Sequence, residues 1–235
     1  NLDYTGSNAS HMGASGTDSG AVIYRPGKFG KAAQLAGSTT NLIANPSFEV
    51  NAAGWTLGSG AGLVTSGGKY GSGYLWAGSF SYTTLTITNG QQYTVSFWHR
   101  GQYSINVDFG NGTLNARSST SAAVESDGWG RYVETFTANG TAFRLFLYSY
   151  GYDAVQVEQK PYATPYCDGS LGTGHSWIGT AHASTSSRTN ASIVYPGSLL
   201  AAAAGTLMFW ADTNGDPDDR MSIECGGVTG VWFIL

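Results

Sequence analysis

Seven side chains combine flat rings with groups that can fork onto paired hydroxyls: Trp98, Arg100, Asn106, Asp108, Arg144, Phe146 and Tyr148. They fall on three short alternating segments. In Tyr93-Thr94-Val95-Ser96-Phe97-Trp98-His99-Arg100, a period of two puts Tyr93, Val95 and Phe97 on one face and Thr94, Ser96, Trp98 and Arg100 on the other. Ser104 to Phe109 repeats the pattern, with Ile105, Val107 and Phe109 inward and Ser104, Asn106 and Asp108 outward. Phe143, Leu145 and Leu147 read as core, with Arg144, Phe146 and Tyr148 opposite. The three segments are expected to present the seven on one outer face. Aromatic rings stack on the C–H face of a pyranose, while Arg, Asn and Asp bond its hydroxyls. The alternative of equal weight is a face on which Trp98 and Phe146 lie under a loop or a second domain. Exposure of Trp98 and Tyr148 favours binding; burial of both under residues 166–190 favours a spacer. Tyr70, Tyr74, Tyr103 and Tyr150 are further ring candidates at the strand ends, and Trp129 reads as structural.

Catalytic patterns are missing. There is no Gly-x-Ser-x-Gly elbow and no His-Glu-x-x-His. A hydrolase or lyase needs two convergent carboxylates, and only Asp108, Glu125 and Asp127 lie near the candidate face. His175 and His182 are too far apart for a helical ligand pair. Asp212-Thr213-Asn214-Gly215-Asp216-Pro217-Asp218-Asp219 alternates acids like a calcium loop. Pro217 and Ile223, however, occupy the positions of the turn glycine and the bidentate Glu, so a solvated acidic turn is expected. Cys167 and Cys225 leave a disulfide open.

The elements that must position these groups are strands. Aromatic residues make up 13% of the 235 and charged residues 11%, with 34 glycines, which points to many short strands joined by tight turns. A net charge of −4 leaves no footprint for nucleic acid or an anionic membrane. No apolar run is long enough for a bilayer span, and no signal peptide is visible. Asn89-Gly90 is a hairpin signal, because both residues tolerate φ > 0. Four Asn-x-Ser/Thr sequons, at Asn8, Asn111, Asn139 and Asn190, are what a chain rich in these residues carries by chance. Residues 1–20 read as a flexible segment or vector-derived remnant, and 166–190 as a long polar connection that marks a domain boundary or a packed arm.

Thr39-Thr40-Asn41-Leu42-Ile43-Ala44-Asn45-Pro46-Ser47-Phe48-Glu49 opens the central segment with a turn at Asn45-Pro46-Ser47 and a core plug at Phe48. Tyr152-Asp153-Ala154-Val155-Gln156-Val157-Glu158 closes it. This pair resembles the two ends of jelly-roll carbohydrate-binding modules of the family-4/9 type, which commonly open on Asn-Pro-x-Phe-Glu. The resemblance covers residues 41–165, about half of the chain. It implies an all-β, antiparallel β-sandwich with a glycan on the concave sheet or at the loop tips. It also implies a structural Ca²⁺ where the opening Glu49 meets the closing Asp153; the alternative is that both carboxylates simply accept backbone N–H bonds.

Gly27-Lys28-Phe29-Gly30-Lys31-Ala32 and Gly205-Thr206-Leu207-Met208-Phe209-Trp210 resemble strands of concanavalin-like (laminin-G-like) sandwiches. Residues 21–40 and 191–235 are therefore expected to be flanking strands of a second, incomplete sandwich, in a truncated chain or one completed by another chain. The opening stretch followed by Pro161-Tyr162-Ala163-Thr164-Pro165-Tyr166-Cys167-Asp168-Gly169 is similar to a pattern in bacteriophage tail-fibre and minor tail proteins. Secreted bacterial glycan-binding proteins carry similar arrangements. The expectation is a non-catalytic module of a virion tail or extracellular protein that binds polysaccharide or cell-surface glycan. Its partners would be further copies or other virion chains, with no nucleic acid and no membrane insertion. A ligand-free spacer and a piece of a polysaccharide-degrading enzyme are the rivals.

Overall fold

A computed structural model of the chain describes residues 36–119 and 125–191 in full, and outside these the backbone of eight short strands. Every regular element among the described residues is a β-strand. In chain order they are β1 (Ser10–His11), β2 (Ala14–Ser15), β3 (Thr17–Ser19), β4 (Val22–Gly27) and β5 (Gly30–Leu35). Next come β6 (Thr39–Asn41), β7 (Thr56–Leu57), β8 (Gly62–Val64), β9 (Tyr74–Trp76), β10 (Ser81–Thr86), β11 (Gln92–Arg100), β12 (Tyr103–Gly110) and β13 (Asn115–Ser119). They are followed by β14 (Trp129–Thr137), β15 (Ala142–Tyr148), β16 (Gly151–Glu158), β17 (His175–Trp177) and β18 (Ser186–Arg188). The last three are β19 (Ser192–Val194), β20 (Met221–Ile223) and β21 (Val231–Phe233). No helix among the described residues is long and apolar enough to cross a membrane.

Two units form. One takes residues 1–38 and 189–235 and contains the antiparallel pairs β1–β2, β4–β5, β3–β19 and β20–β21. The acidic turn at Asp212–Asp219, the strand-like stretch 205–210 and Cys225 lie outside the described residues. The other unit is Thr39–Arg188. It holds a front sheet, β13-β12-β15-β10-β7, and a back sheet, β14-β11-β16-β9-β8. A third sheet, β17-β18-β6, draws the opening strand and residues 166–188 into the same unit. The polar connection expected over 166–190 is thus a packed arm.

The two five-stranded sheets face one another across a single apolar core. Val95, Phe97, Val155 and Val157 come from the back sheet, and Ile105, Val107, Phe143, Leu145 and Leu147 from the front. Each is essentially fully buried. Burial of such a side chain contributes about 1.5–3 kcal/mol, so alternation at these positions fixes which face of each strand looks inward. At one edge Arg117 of β13 meets Glu134 of β14 at 2.8 Å and ties the two sheets together. This pair is partly exposed and contributes little on its own.

The opening stretch is stitched to the closing strand by Asn41, whose side chain is fully buried and fully bonded. Its Nδ2 donates to the carbonyls of Val155 (2.9 Å) and Cys167 (3.1 Å), and its Oδ1 accepts from the amides of Ile43 (3.1 Å) and Val157 (3.2 Å). Asn45 and Phe48 sit at φ 51° and 55°, the reversed backbone a tight turn demands. Phe48 drops into the core, edge-on to Trp55 at 5.2 Å.

Two features differ from the sequence expectation. Asn89-Gly90 makes no hairpin, because β10 and β11 belong to opposite sheets. The turn crosses between layers and is tied instead to Ala138, which accepts from Gly90 N at 2.8 Å. In β16 the register slips between the pairs Ser96–Gln156 and Trp98–Asp153, where Ala154 and Val155 oppose the single residue Phe97 of β11. Ala154 takes φ 50° at this β-bulge. Alternation therefore changes phase within the strand: Tyr152 points inward before the bulge, and Val155 and Val157 after it.

Candidate functional site

The seven expected ligand residues do not share a face. Trp98 and Arg100 stand on β11 in the back sheet, while Asn106, Asp108, Arg144, Phe146 and Tyr148 stand on β12 and β15 in the front sheet. Both groups point away from the common core, and so to opposite sides of the sandwich. Alternation distinguishes inward from outward, but both sheets have an outward side.

On the front face, register lines up Tyr82, Phe146 and Asn106 across β10, β15 and β12. The rings of Tyr82 and Phe146 lie 4.7 Å apart at 18°. Two coplanar rings cannot approach so closely, so these overlap face on face with a sideways slip. Tyr148 continues the row two residues along β15, 6.5 Å from Phe146 at 16°, and Phe80 flanks Tyr82 at 6.2 Å. Asn106 donates to the Tyr148 hydroxyl at 3.1 Å. No hydrogen bond or ring contact among the described residues brings a covering segment onto Tyr82, Phe146 or Tyr148, and each ring is half-buried. Tyr82 was not among the expected residues, although the alternation of Ser81-Tyr82-Thr83 already turns it outward.

Asp108 and Arg144 share this face but are spent on it. Asp108 is 1% exposed. Its Oδ1 accepts from the amides of Gly110 (2.9 Å) and Gly112 (3.0 Å), and its Oδ2 meets Arg144 Nη2 at 2.7 Å. Burial alone would raise this carboxyl; the two amides and the guanidinium outweigh it and hold it below the usual range. Asp108 thus clamps the turn after β12 and is not available to fork onto a sugar. Arg144 keeps an exposed flank beside Phe146.

The back face is largely covered. Lys69 places its ammonium 4.0 Å from the ring centroid of Trp98, where Glu125 and Asp127 grip it at 2.5 and 2.7 Å. Burial would lower the Lys69 pKa, but the two carboxylates raise it on balance. Further along, the arm docks on Gln156 and Glu158. Cys167 N donates to Gln156 Oε1 (2.7 Å), and Thr164 donates to Glu158 through both its amide (2.8 Å) and its hydroxyl (2.7 Å). Every residue of β16 is buried as a result, one side by core and the other by loop and arm. So Trp98 is half-buried under Lys69 and not under 166–190, while no contact among the described residues covers Tyr148. Cys167 is a free, buried thiol. The tip aromatics are packed: Tyr70 on Tyr166 (4.8 Å), Tyr74 on Trp129 (5.5 Å) and Tyr103 on Tyr132 (5.1 Å), with the Tyr150 hydroxyl bonded to Gln102 (2.6 Å).

Glu49 and Asp153 meet at one loop. Glu49 accepts from the amides of Ser72 and Gly73, each at 3.0 Å. Asp153 accepts from the amides of Lys69 (2.7 Å), Tyr70 (3.0 Å) and Ala154 (2.6 Å). Gly71 turns this loop at φ 79°, and a Cβ there would lie 2.4 Å from Glu49 Oε1. Burial pushes the Asp153 carboxyl up to about 7, and the charge of Glu49 adds to the shift against the pull of the three amides. Among the described residues no group of three His, Cys, Asp or Glu side chains comes together. Both carboxylates therefore have the N–H partners of the metal-free alternative. Their second lone pairs and the proximity of two acids are the features a cation would use.

No family model matches the chain, and no curated protein matches it. Among solved structures, TmCBM61 in complex with β-1,4-galactotriose is similar at 12% identity and a TM-score of 0.38, over 51% of this chain and 99% of that one. CBM35 from Paenibacillus barcinonensis is similar at 19% identity and a TM-score of 0.33, over 51% and 96%. The enzymatically active domain of tailspike protein 4 from bacteriophage CBA120 is similar at 15% identity and a TM-score of 0.35; the match spans 50% of this chain and 21% of that one.

Proposed function

We propose that residues 39–188 form a non-catalytic saccharide-binding module whose site is the outer face of the front sheet. The observation that carries this reading is the row Tyr82–Phe146–Tyr148 with Asn106 beside it, rings and an amide on a surface that no segment among the described residues covers. Large rings left on an uncovered sheet face contribute nothing to the core, and they suit the C–H faces of pyranoses. The site is flat, so affinity is expected between about micromolar and millimolar. A catalytic reading finds its three carboxylates engaged: Asp108 by Arg144, and Glu125 and Asp127 by Lys69. A place in a virion tail or an extracellular protein rests on the sequence resemblance alone. A glycan array probed with the full chain tests the reading: it predicts hits that Tyr82→Ala weakens, and a blank array would favour a spacer.

We further propose calcium at Glu49 and Asp153, supported by the acid pair and the raised carboxyl of Asp153. The ion would hold that carboxylate in its charged form, with backbone carbonyls as the remaining ligands. The sign of the pH dependence follows. An Asp at about 7 in the fold, against about 3.9 unfolded, binds its proton more tightly when folded. This contribution is complete below the unfolded value and is lost as pH rises through the folded one. The melting temperature of calcium-free protein should therefore fall between about pH 4 and pH 7, and Asp153→Asn should flatten the slope. Calcium competes with the proton. It should raise the melting temperature near pH 8 and lose its effect below about pH 6. A melting temperature unmoved by calcium near pH 8 would reduce the pair to a loop clamp.

A further inference from the structure

The uncovered end of the back face carries a group that the front-face reading does not use. Register places Trp76, Gly151 and Arg100 in one row across β9, β16 and β11. All three share the outer surface, because the neighbouring Leu75, Tyr152 and His99 are the buried, inward residues. Trp76 is 43% exposed. Arg100 is exposed and forms none of the ion pairs among the described residues. Its guanidinium is nevertheless held in place, 5.6 Å from the Tyr74 ring centroid and 3.5 Å from the Tyr74 hydroxyl. Tyr74 is itself braced edge-on by Trp129.

Gly151 leaves room for the Tyr74 ring to lie between Trp76 and Arg100. It has no side chain, and the Tyr74 ring leans over it, so that a Cβ there would lie 2.8 Å from Tyr74 Cε2. Trp76 and Arg100 thus stand two inter-strand spacings apart, about 9–10 Å, with the Tyr74 ring between them. An exposed indole suits the apolar face of a sugar ring. A braced guanidinium with no acid partner among the described residues suits a carboxylate, which it can take through two parallel N–H bonds.

We propose that this surface is a second saccharide site, selective for sugars that carry a carboxylate. Trp76 stacks on the pyranose, and Arg100 takes the carboxylate. It lies on the opposite surface from the Tyr82–Phe146 row and stands independently of it. The test is calorimetric titration of the full chain, in calcium-free buffer, with oligogalacturonate and with the same oligosaccharide as its methyl ester. Wild type should bind the acid form, and Phe146→Ala should bind it equally well. Arg100→Gln should lower affinity for the acid about tenfold or more, to the level of the ester. Arg100→Lys, which keeps the charge and loses the fork, should recover only part. Trp76→Ala should weaken both forms. Added salt should weaken the acid form alone. Both side chains are exposed, so wild-type melting temperatures are expected of the variants. The proposal is overturned if wild type does not bind the acid form. It is equally overturned if acid binding survives Arg100→Gln, or is lost in Phe146→Ala. A front face that binds no neutral glycan would leave each of these expectations in place.

Discussion

Phe146→Ala is expected to lower affinity for a glycan on the front face about ten- to a hundredfold, while the protein stays folded. The two halves of this expectation have different causes. Phe146 is the middle ring of the row, with Tyr82 at 4.7 Å on one side and Tyr148 at 6.5 Å along the strand. Removing it deletes the centre of the platform, and aromatic anchors at the centre of a contact carry most of its energy. A loss of about 1.4–2.8 kcal/mol corresponds to that range in affinity. The fold survives because Phe146 points away from the core, which Leu145 and Leu147 supply from the same strand. What stability loses is the ring pair, about 0.5–1.5 kcal/mol, or a few degrees of melting temperature for a unit of this size. Titration with an array hit and thermal melting of the same preparation check both halves. Unchanged affinity, or an unfolded variant, would contradict the account.

The second large effect is expected at Glu158, which is fully buried yet accepts four hydrogen bonds. They come from the hydroxyl of Thr39 (2.7 Å), the side-chain amide of Gln156 (2.7 Å), and the amide (2.8 Å) and hydroxyl (2.7 Å) of Thr164. The opening strand, the closing strand and Thr164, just ahead of the arm, thus converge on one carboxylate. Glu158→Ala removes the short acceptor of all four donors and leaves the Gln156 amide and the Thr164 hydroxyl only longer contacts of 3.3 Å, at about 1–3 kcal/mol for each unsatisfied donor before any relaxation. A net loss of about 3–5 kcal/mol is expected, in the range for breaking a buried polar network. The arm should then open locally. Cys167, fully buried at its start, should become reactive toward a thiol reagent under conditions where wild type is inert. Peptide mapping assigns the modification to Cys167 and separates it from Cys225. A Cys167 that stays inert in a variant of wild-type stability would show that Glu158 does not hold the arm.

What the sequence made legible was local. Val95, Phe97, Ile105, Val107, Leu145 and Leu147 all alternate with polar neighbours, and all are core. The turn at Asn45-Pro46-Ser47 and the plug at Phe48 follow from proline geometry and one large apolar residue, and the structure has both. Alternation carries no information on which sheet a strand joins, however. That is why Trp98 and Phe146 were grouped together although they lie on opposite surfaces. Asn89-Gly90 misled for a related reason, since the same dihedral freedom that closes a hairpin serves a crossing between layers. The phase change in β16 comes from one extra residue at Ala154, and nothing in that alanine's chemistry announces it. The arm was illegible because bonds between residues far apart in the chain hold it, Asn41 to Cys167 and the pairing of β18 with β6 among them, and no periodicity does. Asp108 was misassigned because its outward direction is right but its carboxylate bends back onto its own turn.

The central claim is the location of the site, and ligand-induced chemical shifts of the full chain test it most directly. Titration with a neutral oligosaccharide taken from the array is expected to move the resonances of Tyr82, Asn106, Phe146 and Tyr148 together, with a single affinity. Those of the arm, Cys167 to Arg188, should stay where they are. Shifts confined to Trp98, Lys69 and the 67–73 loop, with the front face unmoved, would contradict the claim and place binding on the back sheet.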